Sequence, residues 1–246
     1  MTWRRPDKIP EKGFFFPSLL HELEQEGCFL CAAVIADSEH SLNSLFYEGN
    51  MDERIREEVI AANGFCNWHA WRATYILSAS AGLAVLYQPL LEKLNTAVIR
   101  LLKTLEESRE PRLFSPSRRQ PARRFVNAEK ICPVCEWTHT LERHYLSDLL
   151  DFFNNAPLAP KFEKSFGLCL PHLQVAVDEF SEHANLSRLL EMERKKFVAL
   201  QTELAAFDRK RSNGLAKEPK GAEQTAWQRA VELFVGKRGV FPRPGK

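Results

Sequence analysis

No apolar run in this 246-residue chain approaches the roughly 18 residues that would cross a bilayer. The N-terminal Met1–Lys8 stretch is basic, but Phe14-Phe15-Phe16 is stopped at once by Pro17, and neither an apolar signal core nor a small-residue cleavage site follows. These absences predict a cytoplasmic protein with no membrane partner. Charge of one sign is also scarce in excess: the formal net charge is +2, which gives no global pull toward nucleic acid or anionic lipid. Motifs of several enzyme classes are missing, namely a glycine-rich phosphate loop, a Gly-x-Ser-x-Gly elbow and a His-Glu-x2-His zinc protease helix. Carboxylates near histidines, such as Glu22 and Glu24 beside His21 or Glu179 and Glu182 beside His183, read as solvated helix faces. The residues leave open whether any reaction is catalysed.

What is present is a repeat. Cys28-x2-Cys31 is followed by Cys66-x2-His69, and Cys132-x2-Cys135 by Cys169-x2-His172. Cys28 and Cys31 fall on Cys132 and Cys135 at an offset of 104; after a one-residue deletion, Gly64, Cys66 and His69 fall on Gly167, Cys169 and His172 at an offset of 103. The pattern uses all 6 cysteines of the chain and leaves none over. With no export signal, such clusters point to metal or redox chemistry, because the cytosol keeps thiols reduced.

The local signals read as helices, giving an all-α fold class. The first knuckle predicts a helix running to about Tyr47. Asn50 or Asp52 caps a shorter one ending at a left-handed Asn63-Gly64 turn, and Cys66 opens a third. In the second copy Pro157 and Pro160 mark the middle connection, and Pro171 suits a first helical turn. Each copy then enters a long helix with heptad-like apolar rows: Leu83, Leu90 and Ala97 beside Tyr87, Leu94 and Leu101, and Leu186, Glu193, Leu200 and Phe207 beside Leu190, Phe197 and Leu204. Such rows are expected to face an intramolecular core rather than a dimer seam. Pro89 is expected to kink or split the first long helix. Residues 1–110 form the first metal-binding repeat in this reading, 111–130 a basic, proline-rich linker, 131–212 the second repeat, and 213–246 a C-terminal helix and basic tail. The two similar repeats, each with a Cys3His knuckle and a long helix, are expected to pack with approximate internal two-fold symmetry.

Three thiolates and one imidazole satisfy tetrahedral zinc, and two-residue spacing lets both ligands of a half-motif reach one ion from a single tight turn. Helix N-termini favour the anionic sulfur through their exposed N–H groups and positive dipole end. The expectation is therefore two metal centres, one per repeat: Cys28, Cys31, Cys66 and His69 around one ion, and Cys132, Cys135, Cys169 and His172 around the other. Zinc is the first choice of metal. An iron–sulfur cluster is the rival, because three thiolates and a histidine can hold one. A covalent haem is disfavoured, since Ala32 and Glu136, not His, follow the Cys-x2-Cys pairs. His40 and His144 stand at equivalent positions; they are either outer partners of the ligands or exposed helix histidines.

At Gly27-Cys28-Phe29-Leu30-Cys31, Gly64-Phe65-Cys66-Asn67-Trp68-His69, Cys132-Pro133-Val134-Cys135 and Gly167-Leu168-Cys169-Leu170-Pro171-His172, the chain resembles an uncharacterised prokaryotic family, a domain of unknown function. The stretch from Trp227 to Gly236 also looks like that family's end. The resemblance implies helical metal-binding repeats and carries no established activity.

Three functions remain in view. The first is a non-enzymatic interaction or adaptor module organised by structural zinc, with a protein partner. The second is an iron–sulfur redox or electron-transfer subunit. The third is nucleic-acid binding, in which Arg112, Arg118, Arg119, Arg123 and Arg124 of the linker, with Lys237, Arg238, Arg243 and Lys246 of the tail, neutralise phosphates. A solvated linker and tail is the plainer reading of those arginines.

Overall fold

A computed structural model describes residues 12–47, 52–107, 128–212, 221–238 and 240. Among them the secondary structure is helical, with no strand. The linker arginines Arg118, Arg119, Arg123 and Arg124, and Asn50, Arg243 and Lys246, lie outside the described residues.

Helix α1 (Phe16–Glu22) starts where Pro17 sits in the first turn, a position whose missing N–H is not needed. The first repeat then runs α2 (Phe29–Tyr47), α3 (Glu53–Ala61), α4 (Asn67–Thr74) and α5 (Ala79–Glu107). Asp52 caps α3 by accepting the Arg54 N–H at 2.9 Å. Asn63 and Gly64 take φ of 57° and 98°, so the left-handed exit forms where the sequence places it. The second repeat runs α6 (Pro133–Asp151), α7 (Leu158–Lys164), α8 (Leu170–Glu179) and α9 (Leu186–Ser212). The middle connection around Pro157 and Pro160 thus contains a helix of its own, α7, in the place of α3. A 3-10 turn (Ala222–Thr225) leads into α10 (Ala226–Val235). Pro89 lies inside α5 without splitting it. No helix among the described residues is long and apolar enough to cross a membrane.

The chain divides into two compact units that do not follow the repeats. One is built on Glu39–Glu136, the other on Arg4–Ser38 together with Trp137–Lys246, so the division falls within α2 and within α6. In the first unit the core comprises Leu42, Leu45, Phe46, Ile55, Val59, Phe65, Ala79 and Leu86, with Cys132 and Val134. The chain just before Cys132 is fastened to the end of α3, where the Glu129 and Lys130 N–H groups both donate to the Ala61 carbonyl (2.8 and 3.3 Å). In the second unit a larger core joins Leu19, Phe29 and Leu30 to Leu146, Leu150, Phe153, Phe162, Leu173 and Leu189. Its entry is held by Asp148, whose carboxylate accepts the N–H groups of Gly13 and Phe15 at 2.9 Å each.

Candidate metal centres

Four helix starts carry the eight ligand candidates. Cys28 immediately precedes α2 and Cys31 lies in its first turn; Cys132 and Cys135 are placed the same way on α6. Cys66 and Cys169 are the N-caps of α4 and α8, with His69 and His172 in the first turns. Every sulfur therefore stands where free backbone N–H groups and the helix dipole favour negative charge.

The structure brings all eight into two groups, but it pairs the half-motifs differently from the expectation of one centre per repeat. Cys28 and Cys31 gather with Cys169 and His172, and Cys66 and His69 gather with Cys132 and Cys135. Each group takes its Cys-x2-Cys from one repeat and its Cys-x2-His from the other. The physical reason lies in the packing. The Glu129–Ala61 hydrogen bond and the Val134 and Cys132 contacts bring the second Cys-x2-Cys to the first Cys-x2-His, both within Glu39–Glu136. The shared core of Phe29 and Leu30 with Leu168 and Leu173 does the same for the other two half-motifs.

Within each group the ligand atoms lie within 4.8 Å of one another. Around His172, Nδ1 is 3.4 Å from Cys28 Sγ, 3.5 Å from Cys31 Sγ and 3.2 Å from Cys169 Sγ, with Cys31 and Cys169 sulfurs 3.7 Å apart. Around His69, Nδ1 is 3.2, 3.6 and 3.4 Å from the sulfurs of Cys66, Cys132 and Cys135, and the Cys66 and Cys135 sulfurs are 3.5 Å apart. Zinc bonds of about 2.3 Å to sulfur and about 2.0 Å to nitrogen imply tetrahedral edges of roughly 3.8 Å between sulfurs and roughly 3.6 Å from sulfur to nitrogen. The donor set and these spacings fit a single ion at each centre. None of the six cysteines is in a disulfide, so all six sulfurs are available to a metal as thiolates.

Electrostatics agree with a cation-seeking cage. Hydrogen bonding to Cys169 and Cys28 pushes the Cys31 thiol up, and Cys132 and Cys66 do the same to Cys135, because crowded sulfurs cannot all ionise unaided. Burial opposes charge on the imidazoles, yet Cys132 and Cys66 raise His69 to about 9, and Cys169 and Cys28 raise His172 well above its ordinary value. Positive charge at the centre is favoured in both groups.

The surroundings differ. At the fully buried His172 the other ring nitrogen, Nε2, faces Glu142 Oε1 at 3.4 Å, and Glu142 also meets His139 Nδ1 at 3.3 Å. Burial works to raise Glu142, but those two histidines outweigh it and hold the carboxyl at about 2. The Cys28 N–H donates to Glu232 of α10 at 3.0 Å, and the Lys237 N–H donates to Cys31 Sγ at 3.5 Å. Behind the turn, the Leu168 N–H donates to Glu193 Oε1 at 2.8 Å, and a Cβ on Gly167 (φ 90°) would come within 2.6 Å of that carboxylate. At the other centre a tyrosine takes the equivalent place: Tyr87, hydrogen-bonded to the Phe65 backbone, lies beside Gly64.

His40 and His144 do not join either group. His40 is exposed, and His144 stacks on Phe15 with ring centroids 5.9 Å apart. The side chain that meets a candidate ligand from outside is Glu142 instead. Sequence reasoning missed Glu142 and Glu232; Tyr87 and Glu193 stood there only as members of helix rows, and Lys237 only as a cation of the tail.

No curated protein and no solved structure matches the chain. The family comparison does: the profile described as "Family of unknown function (DUF6062)" matches residues 20–239, and the chain belongs to that family.

Proposed function

We propose that each Cys3His group holds one zinc ion as a closed structural centre, and that the protein is a zinc-organised interaction module rather than an enzyme. The observation that carries this is the compactness of both groups: four ligand atoms within 4.8 Å, with edges close to those of a tetrahedron around one ion. Four protein ligands fill a tetrahedral ion and leave no position for water or substrate, which catalytic zinc requires. An ion so held would supply cross-links between the helix starts of α2 and α8 and of α4 and α6, on the order of 10 kcal/mol per site. A reducing compartment such as the cytoplasm would keep the sulfurs available as ligands.

The iron–sulfur alternative is disfavoured by the same spacing. A cluster distributes its terminal ligands over separate irons, which spreads them further apart than these four atoms stand. Nucleic-acid binding through the linker arginines has no comparable support.

The test is an anaerobic preparation analysed for metals, visible absorption and X-ray absorption at the zinc edge. Two zinc ions per chain, no colour and a shell of three sulfurs with one nitrogen are expected. A brown protein, iron in place of zinc, or a water in the zinc shell would overturn the reading.

A further inference from the structure

Helix α5 is 29 residues long, about 43 Å, whereas α3 and α4 beside it have 9 and 8 residues, about 13 Å each. Its first half is covered: Leu86 is in the core, and Leu83 and Tyr87 pack against it. The second half continues the apolar pattern without a cover among the described residues. Leu91, Leu94, Val98, Leu101 and Leu105 alternate at spacings of three and four, the a and d positions of a heptad repeat, and are 37–63 % exposed. Leu102 widens the same bare surface. An apolar row of this length standing in water marks an association surface.

We propose that residues 91–105 of α5 form a self-association seam, paired with the same segment of a second copy of this chain. Two observations select that occupant. The spacing is that of a helix that packs knobs into holes with another helix of the same periodicity, and an identical helix supplies it. The positions flanking the seam are Asn95, Ala97, Leu102 and Thr104, so identical helices meet without like charges facing one another; Glu92, Lys93, Arg100, Lys103 and Glu106 lie on the outer side. About two heptads form the contact, on helices whose first halves pack against α3 and α4. The inference stands whichever ion the cages hold.

Sedimentation of the metal-loaded full chain from about 1 µM to about 100 µM tests it. A monomer–dimer equilibrium is expected. Val98→Glu with Leu101→Glu weakens it by about 100-fold or more while metal content and helical circular dichroism stay unchanged. Should the double variant lose its helical signal, Leu101→Ala is the substitute, with a weakening of about 10-fold. A wild-type chain that remains monomeric throughout overturns the proposal. So does a dimer indifferent to those substitutions but broken by Val231→Glu and Phe234→Glu on the exposed face of α10.

Discussion

Cys31 Sγ stands 3.7 Å from Cys169 Sγ, although 138 positions separate them in the chain, and both lie against the same imidazole, that of His172. Cys31 thus shares a cage with the far repeat and not with Cys66 of its own repeat. The exchange gives each compact unit one complete ligand set.

Substitutions taken in pairs read out this connectivity directly. Cys28→Ser with Cys169→Ser is expected to lose one metal per chain, since both ligands serve one ion. Cys28→Ser with Cys66→Ser is expected to lose both. Metal content by mass spectrometry after dialysis decides it; if the Cys28/Cys66 pair loses only one ion, each repeat binds its own.

Glu142 orients His172 through Nε2 while Nδ1 faces the sulfurs. Replacing an outer partner of this kind costs about 10- to 100-fold in metal affinity. Glu142→Gln should therefore weaken one of the two sites by that factor and leave the other, at His69, unaltered. Chelator competition with a zinc indicator resolves the two sites, and an equal loss at both would contradict the assignment.

Glu193 is fully buried, one of its oxygens (Oε2) has no hydrogen-bond partner, and burial raises its carboxyl from 4.5 to about 8 against the opposing pull of the Leu168 N–H. An acid whose folded value is raised binds more protons folded than unfolded between those limits. Its contribution to stability is present below about 4.5 and is lost as pH rises through about 8. Glu193→Gln keeps a neutral group at all pH, so denaturation of the metal-loaded protein between about pH 6 and pH 9 should show a shallower decline, with the variant ahead by on the order of a few kcal/mol at the alkaline end. Parallel curves for the two proteins would count against a buried proton on Glu193.

Asp148 holds the entry to α1 by accepting two backbone N–H groups. Asp148→Ala leaves both donors without that partner in a partly buried setting, and a loss of about 1–3 kcal/mol is expected in urea denaturation. Asp148→Asn retains one acceptor and should fall between the two.

Much of the local structure was legible. The Asp52 cap, the Asn63-Gly64 exit and Pro171 at the start of α8 follow from backbone propensities acting within a few residues. Helix α7 was less so, because Pro157 and Pro160 signal a break and also suit a first helical turn. The rows on α5 were legible as apolar, but their direction was not. Periodicity tells which residues share a face, and the lengths of α3 and α4 decide how far that face is covered.

The sequence by itself determined the eight candidate ligands, since Cys-x2-Cys and Cys-x2-His at helix starts aim two donors at one point through local geometry alone. Which half-motifs meet was decided only by the tertiary structure. Any of the Cys-x2-Cys pairs is chemically able to complete either Cys-x2-His pair, so spacing is silent on the choice. The choice rests on non-local burial, of Phe29 and Leu30 against Leu168 and Leu173, and on the Ala61 carbonyl that fastens the chain ahead of Cys132.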